Sequence, residues 1–333
     1  MNKDTLPVAD AAPLAEYSPK SMKEIVLLFA ISYEERGFES LKRTTQKFKI
    51  RKALIFQFNV EDYLTQENLE CWKEEKQKVL SFLEEKDIIF ALLDVHDDDF
   101  KDTFETLKKE ISKSDTVVID ITTFPKNYIL KICRELEDYN TTYQYTLGER
   151  YLEPTDEEKR VGVSKIVPLD GFEGDIEINR DALLTLILGF ECNRALAFLN
   201  EFPSGKILAL IGAPGIGFRE ENEEDKKYLE EARQCNKHLL NNSFVKQIKV
   251  NSLHPLLFYQ QLKGAIESNV KENELVNIVI VPIGTKAQTL GLYLYWKNNP
   301  KIQILYPIPN RRPKIALKTG ETFIYRLSKG GSL

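Results

Sequence analysis

From residue 24 onward, short apolar runs rich in β-branched residues alternate with longer amphipathic runs. This alternation is typical of βαβ units built around a parallel sheet, and it restricts the fold more than any other feature of the chain. The run over residues 25–30 is apolar throughout, which favours a strand that is covered by helices on both faces. We therefore predict an α/β protein with mostly parallel sheets.

The alternation occurs twice, in the same order and with similar spacing. Each half has a glutamate and an arginine after its first strand and a threonine after its fourth, and the glutamate and threonine lie 89 and 94 residues apart in the two halves. The recurring residues are Glu34, Arg36 and Thr123 in the first half and Glu191, Arg194 and Thr285 in the second. We predict two tandem Rossmann-like domains that arose by internal duplication, with the ordinary regularity of α/β proteins as the alternative.

The length of 333 residues agrees with two domains. We expect a flexible N-terminus over 1–20, a first domain over 21–150, a linker or inserted loop over 151–181, and a second domain over 182–333. The periodicity predicts a helix over 66–85, a single long helix over 221–241, and an extra strand over 319–325 that ends the second domain.

Composition excludes several classes of function. The net charge is −5, and lysine alternates with glutamate, so bulk nucleic-acid binding is not indicated. No run approaches about 18 uninterrupted apolar residues, which argues against a membrane span and for a cytoplasmic protein. The four cysteines are far apart in the sequence, and we expect buried thiols in a reducing cytosol.

Four predicted loops lie at the carboxyl ends of strands, where open α/β sheets bind their ligands. The candidate ligand-binding residues there are Ser32, Glu34, Arg36, Thr122, Thr123, Gly189, Glu191, Arg194, Gly284, Thr285, Lys286 and Gln288. In the last loop, Gly284 permits close backbone approach, Thr285 caps a helix or binds a phosphoryl oxygen, and Lys286 supplies positive charge. This combination suits a phosphodiester, although a plain turn with a capping threonine explains it equally well.

Other features leave alternatives open. Glu34 and Glu191 are weak candidates for catalytic acids or bases, and intradomain pairing with the nearby arginines is the simpler interpretation. The glycine-rich loop over 212–217 lacks the Gly-Lys-Ser/Thr ending of a phosphate loop, so it is either a ligand contact or a turn.

The acidic run over 94–99 contains metal-binding residue types but more simply caps a helix, so we predict no metal and no cofactor. Arg311 and Arg312 follow the last strand of the second half, where they either reach a phosphate or form a solvated turn.

A short polar motif after the first strand and a Gly-Thr-Lys motif after the fourth give the chain a resemblance to a known family. It resembles the CRISPR-associated Rossmann fold (CARF) sensors of prokaryotic defence, which bind cyclic oligoadenylate between two copies. The resemblance implies an intrachain pair whose ligand faces Ser32, Glu34, Thr122, Thr123, Gly189 and residues 284–286. The first half departs from the pattern because it has no glycine over residues 120–125, and no nuclease or winged-helix domain follows.

Three functions follow from these observations. The first is a nucleotide-sensing or regulatory protein of bacterial antiviral defence that binds a phosphorylated ligand, such as a cyclic oligonucleotide, between its halves and acts on a separate effector protein. The second is a nucleotide-processing hydrolase or ring nuclease that uses Glu34 or Glu191. The third is a protein-binding scaffold subunit of a defence complex.

Overall fold

The computed structural model describes residues 12–16, 24–60, 64–95, 100–151, 162–202, 205–270, 275–310 and 316–327. The chain divides into two compact units. Unit 1 contains Met1–Leu152 and Arg311–Leu333, and unit 2 contains Glu153–Asn310.

Unit 1 is built on a sheet of seven strands in the order β1-β13-β6-β5-β2-β3-β4. Its elements are β1 (Ala12–Pro13), β2 (Glu24–Ala30), α1 (Glu35–Lys47), β3 (Lys49–Phe58), α2 (Gln66–Glu85), β4 (Ile89–Val95), α3 (Phe100–Glu110), β5 (Thr116–Asp120), α4 (Lys126–Glu135), β6 (Asn140–Tyr151) and β13 (Ala316–Tyr325). The strands from β2 to β6 are parallel to their neighbours, whereas β13 pairs antiparallel with β6 and β1 pairs antiparallel with β13.

Unit 2 is built on a sheet of six strands in the order β10-β9-β8-β11-β12-β7. Its elements are β7 (Val163–Pro168), β8 (Ala182–Leu188), α5 (Cys192–Glu201), β9 (Lys206–Ala213), α6 (Glu223–Cys235), α7 (Lys237–Leu240), β10 (Val245–Asn251), α8 (Pro255–Glu267), β11 (Asn277–Pro282), α9 (Lys286–Asn298) and β12 (Gln303–Pro309). Only β7 runs antiparallel, and it pairs with β12.

The two sheets share one order of strands. The parallel strands run β4-β3-β2-β5-β6 in unit 1 and β10-β9-β8-β11-β12 in unit 2, and an antiparallel strand follows each series, β13 beside β6 and β7 beside β12. The prediction of two Rossmann-like α/β halves with mostly parallel sheets is confirmed.

Two antiparallel strands, β13 and β7, do not lie where the predicted domain boundaries place them. The last strand of the chain, which we expected in the second domain, pairs with β6 of unit 1. Conversely, β7 lies within the predicted linker but pairs with β12 of unit 2. Local pattern predicts that a segment is extended, but only hydrogen bonds to a partner far away in sequence decide which sheet it joins.

The long helix predicted over 221–241 is two helices. Asn236 ends α6, and its side-chain amide donates to the carbonyl oxygens of Ala232 at 2.8 Å and Gly189 at 2.9 Å. Because an asparagine that bonds to nearby backbone competes with helical hydrogen bonding, the helix breaks there. Its amphipathic pattern continues into α7, which is why periodicity alone does not show the break.

Apolar strands form the core of each unit. Leu27, Leu28, Leu54 and Ile55 are fully buried in the sheet of unit 1, as the uniformly apolar strands predict. In unit 2 the corresponding layer includes Leu184, Leu186 and Ala209.

The cysteines differ from expectation at two of the described positions, because Cys71 is half-buried and Cys235 is not a thiol. Cys71 and Cys133 are free, and burial raises the pKa of Cys133 to about 12, which keeps it protonated. Cys235 is disulfide-bonded, so the expectation of reduced thiols throughout is wrong for this residue. The Sγ of Cys235 also lies 3.3 Å from the carbonyl oxygen of Phe190.

In the part of the chain that the structure describes, every helix is too short or too polar to cross a bilayer.

Candidate functional site

The predicted site residues lie at the carboxyl edge of each sheet, where its winding reverses. In unit 1 the loops after β2 and β5 are neighbours because these strands pair, and in unit 2 the loops after β8 and β11 are neighbours for the same reason. Helices leave such a switch point toward opposite faces, which opens a crevice for ligands. We call these loops the rims: residues 31–34 and 121–125 in unit 1, and residues 189–191 and 283–285 in unit 2.

In unit 1, Glu34 and Arg36 form a buried ion pair at the start of α1. The guanidinium of Arg36 also donates to the carbonyl oxygen of Thr146 in β6 at 3.2 Å. The amide of Glu34 donates to the Oγ of Ser32 at 3.2 Å. The pair therefore ties the first helix of the unit to its fifth parallel strand.

Unit 2 repeats this arrangement. In Arg194, Nη1 lies 2.5 Å from a carboxylate oxygen of Glu191, and Nε donates to the carbonyl oxygen of Pro307 in β12 at 2.7 Å. The guanidinium also lies 4.6 Å from the centre of the Tyr306 ring. Burial disfavours the charged form, but Glu191 and Tyr306 together outweigh it and raise the pKa of Arg194. Both glutamates are thus held by an arginine whose other hydrogen bonds are structural.

The second rim loop of unit 1 is largely closed. Thr122 is buried, and its Oγ1 accepts a hydrogen bond from the amide of Thr146 at 2.9 Å. Thr123 donates its hydroxyl to the carbonyl oxygen of Ala30 at 2.6 Å. Phe124 is fully buried and contacts the ring of Phe56 at 5.1 Å between centroids. The hydroxyl groups of this loop therefore hold β2, β5 and β6 together.

The second rim loop of unit 2 forms a capped helix start. Thr285 caps α9 in a capping box with Gln288, whose Oε1 accepts from the amide of Thr285 at 2.8 Å. The hydroxyl of Thr285 donates to the carbonyl oxygen of Ser252 at 2.6 Å, and the amide of Gln288 donates to that hydroxyl at 3.2 Å. Gln288 is buried, so its role is to fix the loop. A Cβ at Gly284 would meet the carboxamide of Gln288 and lie 2.7 Å from Ile187, which makes glycine necessary there.

Lys286 occupies the first position of α9 and is half-buried. Lys126 occupies the same position of α4 in unit 1. A cation is unusual at the positive end of a helix, because the helix dipole favours anions there. An ammonium group and a helix N-terminus at one place suit a phosphate, which gains from both.

The glycine-rich loop over 212–217 is fixed by side chains. The amide of Gly215 donates to Asp225 at 2.8 Å, and Asn251 Nδ2 donates to the carbonyl oxygens of Pro214 at 2.7 Å and Ile216 at 3.0 Å. Burial alone would raise the pKa of Asp225, but the hydrogen bonds from Arg219 and the backbone hold it below its usual value. The loop is therefore a rigid turn, and its Gly215 amide is already used.

An aromatic pair that the sequence analysis did not single out lies beyond β9 and β10. The Phe218 ring stacks on that of His254, with 4.0 Å between centroids and 22° between planes. Phe218 is 62% exposed, which is unusual for a ring held in one place. The sequence feature that could have indicated this aromatic pair is a phenylalanine directly after a glycine-rich turn.

A buried polar cluster in unit 1 was also not predicted. Its members are Ser40, Thr44, Asp120, Gln144, Thr146 and Thr322. Gln144 Nε2 lies 2.8 Å from Ser40 Oγ, 2.7 Å from Thr44 Oγ1 and 3.3 Å from Asp120 Oδ2, while its Oε1 has no partner among the described residues. Burial raises the pKa of Asp120 despite hydrogen bonds from its neighbours. The interior of unit 1 is therefore polar directly beneath its rim.

The same positions in unit 2 are apolar. Counted from the paired arginines, Ser40 corresponds to Phe198, and counted from the carbonyl groups that these arginines bind, Gln144 corresponds to Leu305. Both apolar residues belong to the core of unit 2, and Pro282 ends β11 where an aspartate ends β5. The units thus share a fold and a rim but differ in what lies beneath it.

Two groups of predicted residues lie outside the described part of the chain. They are Arg311 with Arg312, and residues 96–99 of the acidic run.

No protein-family model and no curated protein matches this chain. Among solved structures, it is similar to a DNA nuclease of type III CRISPR defence that is activated by cyclic oligoadenylate, with a TM-score of 0.51 and 10% identity. That likeness covers 85% of this chain and 65% of the nuclease chain. The cytoplasmic domain of a prokaryotic cation chloride cotransporter also matches, with a TM-score of 0.28 and 8% identity over 86% of this chain and 96% of that one. At these identities the first likeness is one of fold, and the second carries no argument.

Proposed function

We propose that this protein is a regulatory sensor of bacterial antiviral defence that binds a phosphate-bearing nucleotide of the cyclic oligonucleotide class at its rims. The observation that carries the proposal is the placement of Gly284, Thr285 and Lys286 at the switch point of unit 2, at the start of α9. Doubly wound sheets bind ligands at this place, and phosphates favour helix N-termini. The nuclease with a similar fold responds to cyclic oligoadenylate, which supplies the ligand class to test first.

The two rims contribute unequally in this proposal. In both rims the threonine hydroxyl is bound to a backbone carbonyl group and a lysine begins the helix, but in unit 1 the buried ring of Phe124 fills the loop. In unit 2, the shorter loop leaves a glycine and a lysine at the helix start. We therefore assign the phosphate contact to Lys286.

The equal strand order and the repeated Glu–Arg pair support descent of both units from one duplicated module. Recognition of one nucleotide per chain, and transmission of the signal to a separate cytoplasmic effector protein, remain predictions of this proposal. The stoichiometry of a titration tests the first, and co-purification with a candidate effector tests the second.

The geometry gives less support to the hydrolase hypothesis. A general base must have a carboxylate available to a substrate proton. The carboxylates of Glu34 and Glu191 are instead each paired with a guanidinium at the helix start.

Isothermal titration tests the proposal with inorganic phosphate, AMP, linear oligoadenylates and cyclic oligoadenylates as probes. We expect saturable binding of at least one cyclic oligoadenylate, and roughly tenfold to hundredfold weaker binding by Lys286→Ala, because a charge-assisted contact to phosphate contributes roughly 1.5–3 kcal/mol. Lys297→Ala is the matched control, since Lys297 lies in the last turn of the same helix. Absence of heat with every probe at high micromolar concentration, or equal affinities of the two variants, contradicts the proposal.

A further inference from the structure

Phe218 presents an aromatic surface to solvent at the carboxyl edge of unit 2. One face of the ring is covered by His254, at 4.0 Å between centroids, while 62% of the residue remains exposed. We call this stacked pair the platform, and the outer face of its Phe218 ring is open to solvent.

The loop beneath this platform is held on several sides. The amide of Phe218 donates to the carbonyl oxygen of Gly215 at 3.0 Å, and Gly215 is bound in turn by Asp225. His254 is fixed by its amide, which donates to Asn251 Oδ1 at 2.7 Å. The backbone that carries both rings is therefore fixed, which lowers the conformational entropy that binding on them costs.

A chain of contacts links the platform to the start of α9. The hydroxyl of Thr285 donates to the carbonyl oxygen of Ser252 at 2.6 Å, two residues before His254. The amide of Ser252 donates in turn to the carbonyl oxygen of Ala213 at the end of β9, from which the Phe218 loop begins. The rim and the platform thus belong to one continuous carboxyl edge.

We infer that Phe218, supported by His254, is the base-stacking residue of unit 2 and favours a purine over a ligand without a base. The inference rests on the proposed function, and it adds which part of the ligand each group recognises: Lys286 the phosphate and Phe218 the base. Every nucleobase has a π-face, and larger rings gain more from stacking on an aromatic side chain.

The test compares Phe218→Ala and Phe218→Trp with Phe244→Ala. Phe244 is a matched control because it is 71% exposed and lies just before β10, at the opposite, amino edge of the same sheet. The probes are cyclic tetra-adenylate and ribose 5-phosphate, which carries a phosphate but no base. We expect Phe218→Ala to weaken binding of cyclic tetra-adenylate by about tenfold to hundredfold, while Phe218→Trp and Phe244→Ala bind like the wild type.

The outcomes separate this inference from the proposal on which it rests. Wild-type protein that binds no cyclic oligoadenylate and no ribose 5-phosphate overturns the proposed function and the inference together. Cyclic tetra-adenylate that binds the wild type and Phe218→Ala equally overturns the inference alone, and so does an equal loss of affinity for ribose 5-phosphate, which would mark general damage to the rim. An unchanged melting temperature of each variant establishes that it is folded.

Discussion

At the scale of single residues, the sequence indicated which positions are constrained better than it indicated what the side chains at those positions do. Glu34, Arg36, Glu191 and Arg194 were predicted site residues because they recur at matched places, and the structure holds them as two ion pairs, each with a buried arginine and a partly exposed glutamate. Removing the glutamate leaves a buried guanidinium without its carboxylate, at a cost of up to about 3–5 kcal/mol. Recurrence of a residue therefore indicates a shared constraint, which here includes the packing of the first helix on the fifth strand.

The polar surroundings of Asp120 inside unit 1 could not be predicted from the sequence pattern. It is only 3% exposed and lies among hydroxyl and amide groups from α1 and β6. Burial raises the pKa of this carboxyl above its ordinary value of 3.8. The stability that it contributes is therefore fully present below the pKa of the unfolded state and is lost as pH rises through the folded-state value.

We predict that Asp120→Asn removes the loss of folding stability that occurs as the pH rises. Relative to the wild type, the free energy of unfolding of the variant should increase with pH above about 4, by roughly 1.4 kcal/mol per pH unit within the window between the two pKa values. Urea unfolding at a series of pH values measures the difference. Asp138→Asn, at a position whose side chain is 80% exposed, is the control. A difference between Asp120→Asn and wild type that stays constant from pH 4 to 8 would show that the folded-state pKa is not raised.

At the scale of elements, prediction succeeded where local forces decide. The bounds of α2 were predicted exactly as found, because Thr65 caps the first turn and the amphipathic run ends at Glu85. Prediction failed where a residue far away in sequence determines the structure. Asn236 splits the helix predicted over 221–241, and its side-chain amide donates to the carbonyl oxygen of Gly189 in the rim. The same reason explains β13, whose partner strand lies more than a hundred residues earlier in the chain.

A truncation after Asn310 tests the position of β13. The cut removes the antiparallel partner of β6 and the carbonyl group of Gly320 that accepts from Arg43 at 2.5 Å. We expect amide exchange in β6 to accelerate by at least about tenfold, while exchange in β12, whose edge partner is β7, stays unchanged. Hydrogen exchange followed by mass spectrometry measures both strands in one sample. Faster exchange in β12 with a protected β6 would place the C-terminal strand in the second unit, as the sequence alone suggested.

At the scale of the whole molecule, the pattern of the two halves predicted the architecture, because the order of apolar and amphipathic runs survives even where individual residues have changed. The candidate site was predicted in part. The switch-point loops follow from the strand order, whereas the Phe218–His254 platform depends on a loop conformation set by Asn251 and Asp225. Each unit keeps the same framework, and we assign ligand recognition to the rim of unit 2.

The most direct test of this assignment is hydrogen exchange of the full chain with and without saturating cyclic tetra-adenylate. We expect slower exchange over residues 214–218 and 283–288, at the carboxyl edge of unit 2, and no change over residues 242–246 at its amino edge. Unchanged exchange at both carboxyl-edge segments, or protection confined to the amino edge, would contradict it.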